Sequence, residues 1–197
     1  FLIKEYNAMF KAKDFFYGMI MCGLSYSMIM FFNLCGSFII EHKMGYSEVV
    51  AGYVSLILGF AWMTGGFLGK ALINKAFLPK IRNANYIQLL LIVLMFVASY
   101  FSNNIYSLVA FAFLIHVTAG FIFNNYFSYC IGRFPNSAGI AGGLTGGVTF
   151  IITSAISYGI VAAIKPQVQL EVAEGYFVLG ILGLFILSMI KLRRAHA

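Results

Sequence analysis

The chain has 197 residues, 61% of them hydrophobic and only 10% charged, with a formal net charge of +7. A soluble domain of this size carries about 25% charged residues, so too little polar surface is present to cover a water-soluble globule. The basic residues fall in short connections between apolar runs, not on a basic face interleaved with aromatics, which argues against nucleic-acid binding.

In chain order, Phe1–Lys13 is mixed and basic, and it precedes an apolar run too long for a signal-peptide core. The chain starts on Phe1 rather than Met, which suggests a piece of a longer protein. Six apolar runs follow, at about 15–40, 49–73, 84–101, 105–131, 137–164 and 176–190. A span needs roughly 20 residues. The first, second, fourth and fifth runs exceed that, and the sixth is short unless it begins near Val172. No connection is long enough for a soluble domain. The expected organisation is a linker segment at 1–14, a six-helix transmembrane bundle at 15–190 and a basic tail at 191–197, in contact with the lipid bilayer.

Lysine and arginine set the orientation. Eleven of the thirteen lie on one side of the bundle, and only Lys43 and Lys165 lie on the other. The first side is therefore read as cytoplasmic, with both termini there.

The six runs read as two triplets. The first helix of each carries polar residues: Tyr26, Asn33 and Ser37, then His116, Asn124 and Asn125. The second is glycine-rich, with Gly65, Gly66 and Gly69, then Gly139, Gly143 and Gly146. The third is almost wholly apolar. Polar side chains in lipid need an interior, glycines permit close helix packing, and apolar helices can face lipid. Because each triplet has three spans, the two start on opposite sides. The expected fold class is thus an all-α membrane protein built from two inverted three-helix repeats, a ground plan of secondary transporters.

Cys22, Tyr26, Asn33 and Ser37 share a stripe at helical spacing. That stripe is either a cavity wall or a set of interhelical bonds. His116, Gly120 and Asn124 share another, with His116 near mid-membrane. It is a proton-coupling group, a substrate contact or a structural histidine. Thr145, Thr149 and Thr153 recur at i, i+4, i+8, where hydroxyls either bond their own backbone or face a cavity. The substrate-cavity candidates are Tyr26, Asn33, His116, Asn124 and Thr149. The helix-packing candidates are Gly66, Gly139, Gly143 and Gly146. The apolar runs hold no Asp or Glu at mid-depth. No P-loop, HExxH or paired intramembrane acids are present, so no enzyme chemistry, metal or cofactor is expected. Cys22, Cys35 and Cys130 read as small apolar filler.

Three stretches carry a family resemblance. They are Gly36-Ser37-Phe38-Ile39-Ile40-Glu41 with Gly45-Tyr46-Ser47; Gly66-Phe67-Leu68-Gly69-Lys70; and Gly120-Phe121-Ile122-Phe123-Asn124-Asn125 with the run from Phe134 through Gly146. Together they resemble the C-terminal half, helices seven to twelve, of a major facilitator superfamily transporter of the Bcr/CflA-like drug-resistance branch. The resemblance implies an antiporter of the bacterial inner membrane that exports drugs or small metabolites against protons, in multidrug efflux. It also implies that the first and fourth helices line the cavity and that the third and sixth are peripheral. The implied partner is an N-terminal six-helix half, absent from this chain, or a second copy. A non-transporting membrane scaffold or assembly subunit is the competing expectation.

Overall fold

The computed structural model describes residues 2–190. They form α1 (Leu2–Lys11), α2 (Lys13–Phe38), α3 (Glu48–Ala71), α4 (Phe77–Ser99), α5 (Ile105–Arg133), α6 (Ala138–Ile164) and α7 (Gln169–Met189). A π-helical turn, Ile39–Lys43, continues α2, and a 3-10 turn, Pro135–Ser137, precedes α6. Six of the helices, α2 to α7, are long and apolar enough to cross a membrane. The chain is an all-α, multi-pass membrane protein.

Side chains cap the starts of α3, α5 and α7. Ser47 Oγ accepts from Val50 N–H at the start of α3, and Asn104 Oδ1 accepts from Ser107 N–H at the start of α5, each satisfying a donor the helix leaves open. Two runs begin earlier than hydropathy indicates. α4 starts at Phe77 because Lys80, Arg82 and Asn83 are compatible with helix once outside lipid, and Pro79 falls in the first turn, where it costs little. α7 starts at Gln169, where the Glu171 carboxylate accepts from Gln167 N–H and Val168 N–H. Within the linker segment α1 is itself helical. It buries Met9 against Phe15, Met19, Cys130 and Ala141 and is tied to the turn before α6 by Ser137 Oγ donating to Glu5 Oε2 at 2.8 Å. The basic tail lies outside the described residues.

The short connections force neighbouring helices to run antiparallel, yet the two broadest contacts are between helices that are not consecutive in sequence. α3 packs along α5, and α2 packs along α6. Both pairs are parallel: Thr153 and Ser157 of α6 donate to the carbonyls of Gly23 and Ser27 of α2, and Trp62 and Gly65 of α3 meet Gly120 and Phe121 of α5. α4 packs on α5 as α7 packs on α2. The pairs α2–α5 and α4–α7 follow, and the smaller α5–α6 contact has its counterpart in α2–α3. Exchanging α2 with α5, α3 with α6 and α4 with α7 maps these contacts onto themselves. The two triplets are therefore inverted repeats that interlock, each laying its glycine-bearing or threonine-bearing second helix against the first helix of the other.

Three glycines, Gly23, Gly65 and Gly120, hold this interlock. A Cβ at Gly23 would sit 2.6 Å from the Ile152 side chain, and one at Gly120 would sit 2.4 Å from the Trp62 carbonyl oxygen. α4 and α7 lie at the periphery with apolar outer faces such as Ile87, Leu90 and Leu94, and Phe177, Ile181 and Phe185. The inner face of α4 is more polar than its sequence suggests. Asn85 and Gln88 are buried there, and Gln88 Nε2 donates to Thr118 Oγ1 at 3.1 Å.

Candidate functional site: an aromatic cluster where four helices meet

α2 is enclosed over its first half by α5 and α6, and its Tyr26–Asn33–Ser37 face opens beyond that. Cys22, on the same stripe, is wholly buried, whereas Tyr26 and Ser37 are half-buried and Asn33 is exposed. The helical stripe is real, but its neighbours cover only one end of it.

Tyr26 sits where α2, α3, α5 and α6 converge. Its ring lies 5.6 Å from Trp62, 5.9 Å from Phe123 and 5.9 Å from Phe150, centroid to centroid. Trp62 and Phe123 are 5.1 Å apart, and Phe127 stacks on Phe123 at 5.5 Å. These are the separations at which aromatic quadrupoles attract. The cluster obeys the internal symmetry: the Tyr26–Phe150 contact of α2 with α6 repeats as the Phe123–Trp62 contact of α5 with α3. All five rings retain exposure, and Phe150 is 62% exposed. Mid-way along their helices, they form an open aromatic wall.

Beside it runs a groove of about 550 Å³ between α3 and α5, lined by Trp62, Gly66, Lys70, Asn124, Asn125 and Ser128 among others. Asn124 and Asn125 donate to the carbonyls of Gly120 and Phe121, both at 2.8 Å, which fixes their amides against Gly66 and Gly69.

The proposed cavity residues thus divide. Tyr26, Asn33 and Asn124 reach the open face or its groove. His116 does not: it is fully buried, and its Nε2 lies 3.0 Å from Tyr176 Oη of α7, with Phe32 of α2 edge-on at 5.9 Å. A four-residue step drifts by about 40° around a helix, so His116 turns into the α2–α7 side while Asn124 meets α3. Thr149 is also buried, on the α6 face that packs against α2, and its hydroxyl has no partner among the described residues. Its neighbour Phe150 is the one that reaches the wall.

The glycines divide as well. Gly66 lies against Asn124, but a Cβ at Gly139, Gly143 or Gly146 would meet nothing within 4 Å. These three are not packing glycines within this bundle, because the side of α6 that touches α2 carries Thr145, Thr149 and Thr153 instead.

Comparison with protein-family models gives no match, and neither does comparison with curated proteins. The site therefore rests on its own geometry.

Phe123, Phe127 and Phe150 were not singled out by sequence, since they are three of 21 phenylalanines. One signal was available. The contact glycine of each first helix is followed three residues later by an aromatic, Gly23 by Tyr26 and Gly120 by Phe123.

The structural role of His116 has a measurable consequence. Tyr176→Phe removes the hydrogen-bond partner that a buried imidazole nitrogen has among the described residues and is expected to cost about 1 kcal/mol, the usual scale for one interhelical bond in a membrane. The midpoint of thermal unfolding in detergent should fall accordingly. An unchanged midpoint would mean that the 3.0 Å contact contributes nothing.

Proposed function

We propose that this chain is one half of a secondary active transporter, resembling the C-terminal half of a major facilitator superfamily member, and that it supplies one wall of a central cavity. The observation that carries this reading is the five-ring cluster. An open aromatic surface mid-way along its helices, where four helices from both triplets converge, matches the midplane repeat interface at which such transporters hold substrate. In this reading a second six-helix bundle, from the N-terminal half or from another copy, closes over that face. Alternating access rocks the two bundles around an aromatic small molecule.

The Lys and Arg asymmetry supports a cytoplasmic position for the α1 end of the bundle and for both termini, in a bacterial inner membrane. Proton-driven export of drugs or small metabolites needs a titratable acid. In the absence of Asp or Glu at mid-depth here, that acid falls to the partner bundle. A non-transporting assembly subunit is the second reading, favoured by the use of His116 and Thr153 purely in interhelical bonds.

A flux assay separates the two. Proteoliposomes containing the chain with its six-helix partner should move aromatic solutes when a pH gradient is imposed. Phe150→Ala, at an exposed ring that the fold does not need, should lower that flux about tenfold, which corresponds to about 1.4 kcal/mol of lost ring contact. Absence of gradient-driven flux would favour the assembly role, and unchanged flux in Phe150→Ala would remove the aromatic wall from the substrate path.

A further inference from the structure

The groove between α3 and α5 has a definite electrostatic sign. Trp62 belongs to both the aromatic cluster and the groove, and along α3 the groove continues past Gly66 and Gly69 to Lys70 and Ile73. Among the described residues Lys70 is the one charged side chain lining it. None of the five clustered rings has a carboxylate for company, because the spans contain no Asp or Glu at mid-depth. The amides of Asn124 and Asn125 are tied to their own helix and give the α5 wall polarity without charge. A cation bound here would sit in an apolar cleft with no counter-charge, beside an ammonium. An anion would find that ammonium as its partner.

We propose that the groove binds an amphiphilic organic anion, an aromatic carboxylate whose ring lies against Trp62 and whose carboxylate meets the Lys70 ammonium. The inference rests on the reading of the cluster as a substrate wall and narrows it from aromatic solutes in general to organic acids. The dimensions suit such a ligand. Trp62 and Lys70 are separated by roughly 12 Å of helix, a span covered by one ring, a short alkyl chain and the flexible lysine stem.

Trp62 is the only tryptophan in the chain, so its fluorescence reports directly on the groove. The full chain in nanodiscs of zwitterionic phosphatidylcholine is titrated with para-bromophenylbutyrate and, separately, with para-bromophenylbutylammonium. The two share the ring and chain, and bromine quenches indole emission on contact. The acid should quench saturably and about tenfold more tightly than the amine, the difference made by one opposite charge at close range. Lys70→Gln should remove that preference, and Lys70→Arg should keep it. An amine that quenches as tightly as the acid, or a preference that survives Lys70→Gln, would overturn the assignment of an anion while leaving the aromatic wall intact. If neither compound quenches saturably, the groove is not a binding site and the proposal is overturned, whereas the substrate-wall reading stands or falls with the Phe150→Ala flux.

Discussion

Replacing Gly65 or Gly120 with alanine is expected to lower the stability of the bundle by about 3 kcal/mol, the upper range for overpacking a well-filled interior. The two glycines face each other's helix at the crossing of α3 and α5. A Cβ at Gly65 would lie 2.1 Å from the Val117 carbonyl oxygen and 2.6 Å from Phe121 N, and one at Gly120 would lie 2.4 Å from the Trp62 oxygen. These are backbone atoms, which no rotamer change can move aside, so the helices themselves must separate. Gly175 is different, because a Cβ there would meet the Phe31 ring, which is a side chain. Gly143→Ala is the matched control. Its Cβ would meet nothing within 4 Å, and alanine is the better helix former. Thermal unfolding in detergent should show a large loss for Gly65→Ala and Gly120→Ala and none for Gly143→Ala. Equal midpoints for all three would mean that α3 and α5 do not cross at these residues.

The second large effect concerns the ion pair at the α1 end of the bundle. Asp14, at the start of α2, is buried, and its Oδ2 accepts from Tyr129 Oη and Arg133 Nε of α5, each at 2.7 Å. The Arg133 guanidinium also lies over the Phe134 ring, 5.2 Å from its centroid. Breaking a buried pair by removing one member costs about 3–5 kcal/mol, because the other charge is left unmatched. Arg133 keeps 30% side-chain exposure, so water softens the loss. Arg133→Ala is expected to cost about 2–3 kcal/mol after that discount. Asp14→Asn should cost less than Arg133→Ala, since the freed guanidinium can reach solvent whereas the stranded carboxylate cannot. The double variant Asp14→Asn/Arg133→Gln should be less destabilised than the sum of its single changes, which a double-mutant cycle on unfolding midpoints measures. Additive losses would show that the two side chains do not interact.

Six spans, their antiparallel order and the polar, glycine-rich and apolar character of each triplet were readable from sequence, because lipid imposes length and hydropathy on every crossing helix. The start of α4 at Phe77 was not, since that imprint stops at the membrane boundary. The division of roles within each stripe was hidden for another reason. Periodicity places Cys22 with Tyr26, and His116 with Asn124, but only the three-dimensional neighbours decide which of each pair is enclosed. α5 is surrounded by α2, α3, α4 and α6, so its polar residues on different sides meet different partners. The glycine runs look alike in α3 and α6. Gly65 turns inward at the α5 crossing while Gly143 turns outward, and composition carries no trace of that difference. The aromatic wall was half visible. Trp62 and Tyr26 stood out by rarity or placement, whereas Phe123 and Phe150 acquire meaning only once the repeats are superposed.

The interlocking of the triplets also bears on how the chain is made. α2 has its broadest contact with α6, and the bonds joining them link residues 130 apart. At a synthesis rate of roughly 5–20 residues per second, α2 waits on the order of 10 s for the surface that covers it. The first three spans touch one another little in the meantime. The broad contacts of α2 and α3 can form only once α5 and α6 have been made. A chain ended after α4 would leave the Gly23 face of α2 and the Gly65 face of α3 without the α6 and α5 surfaces they pack against.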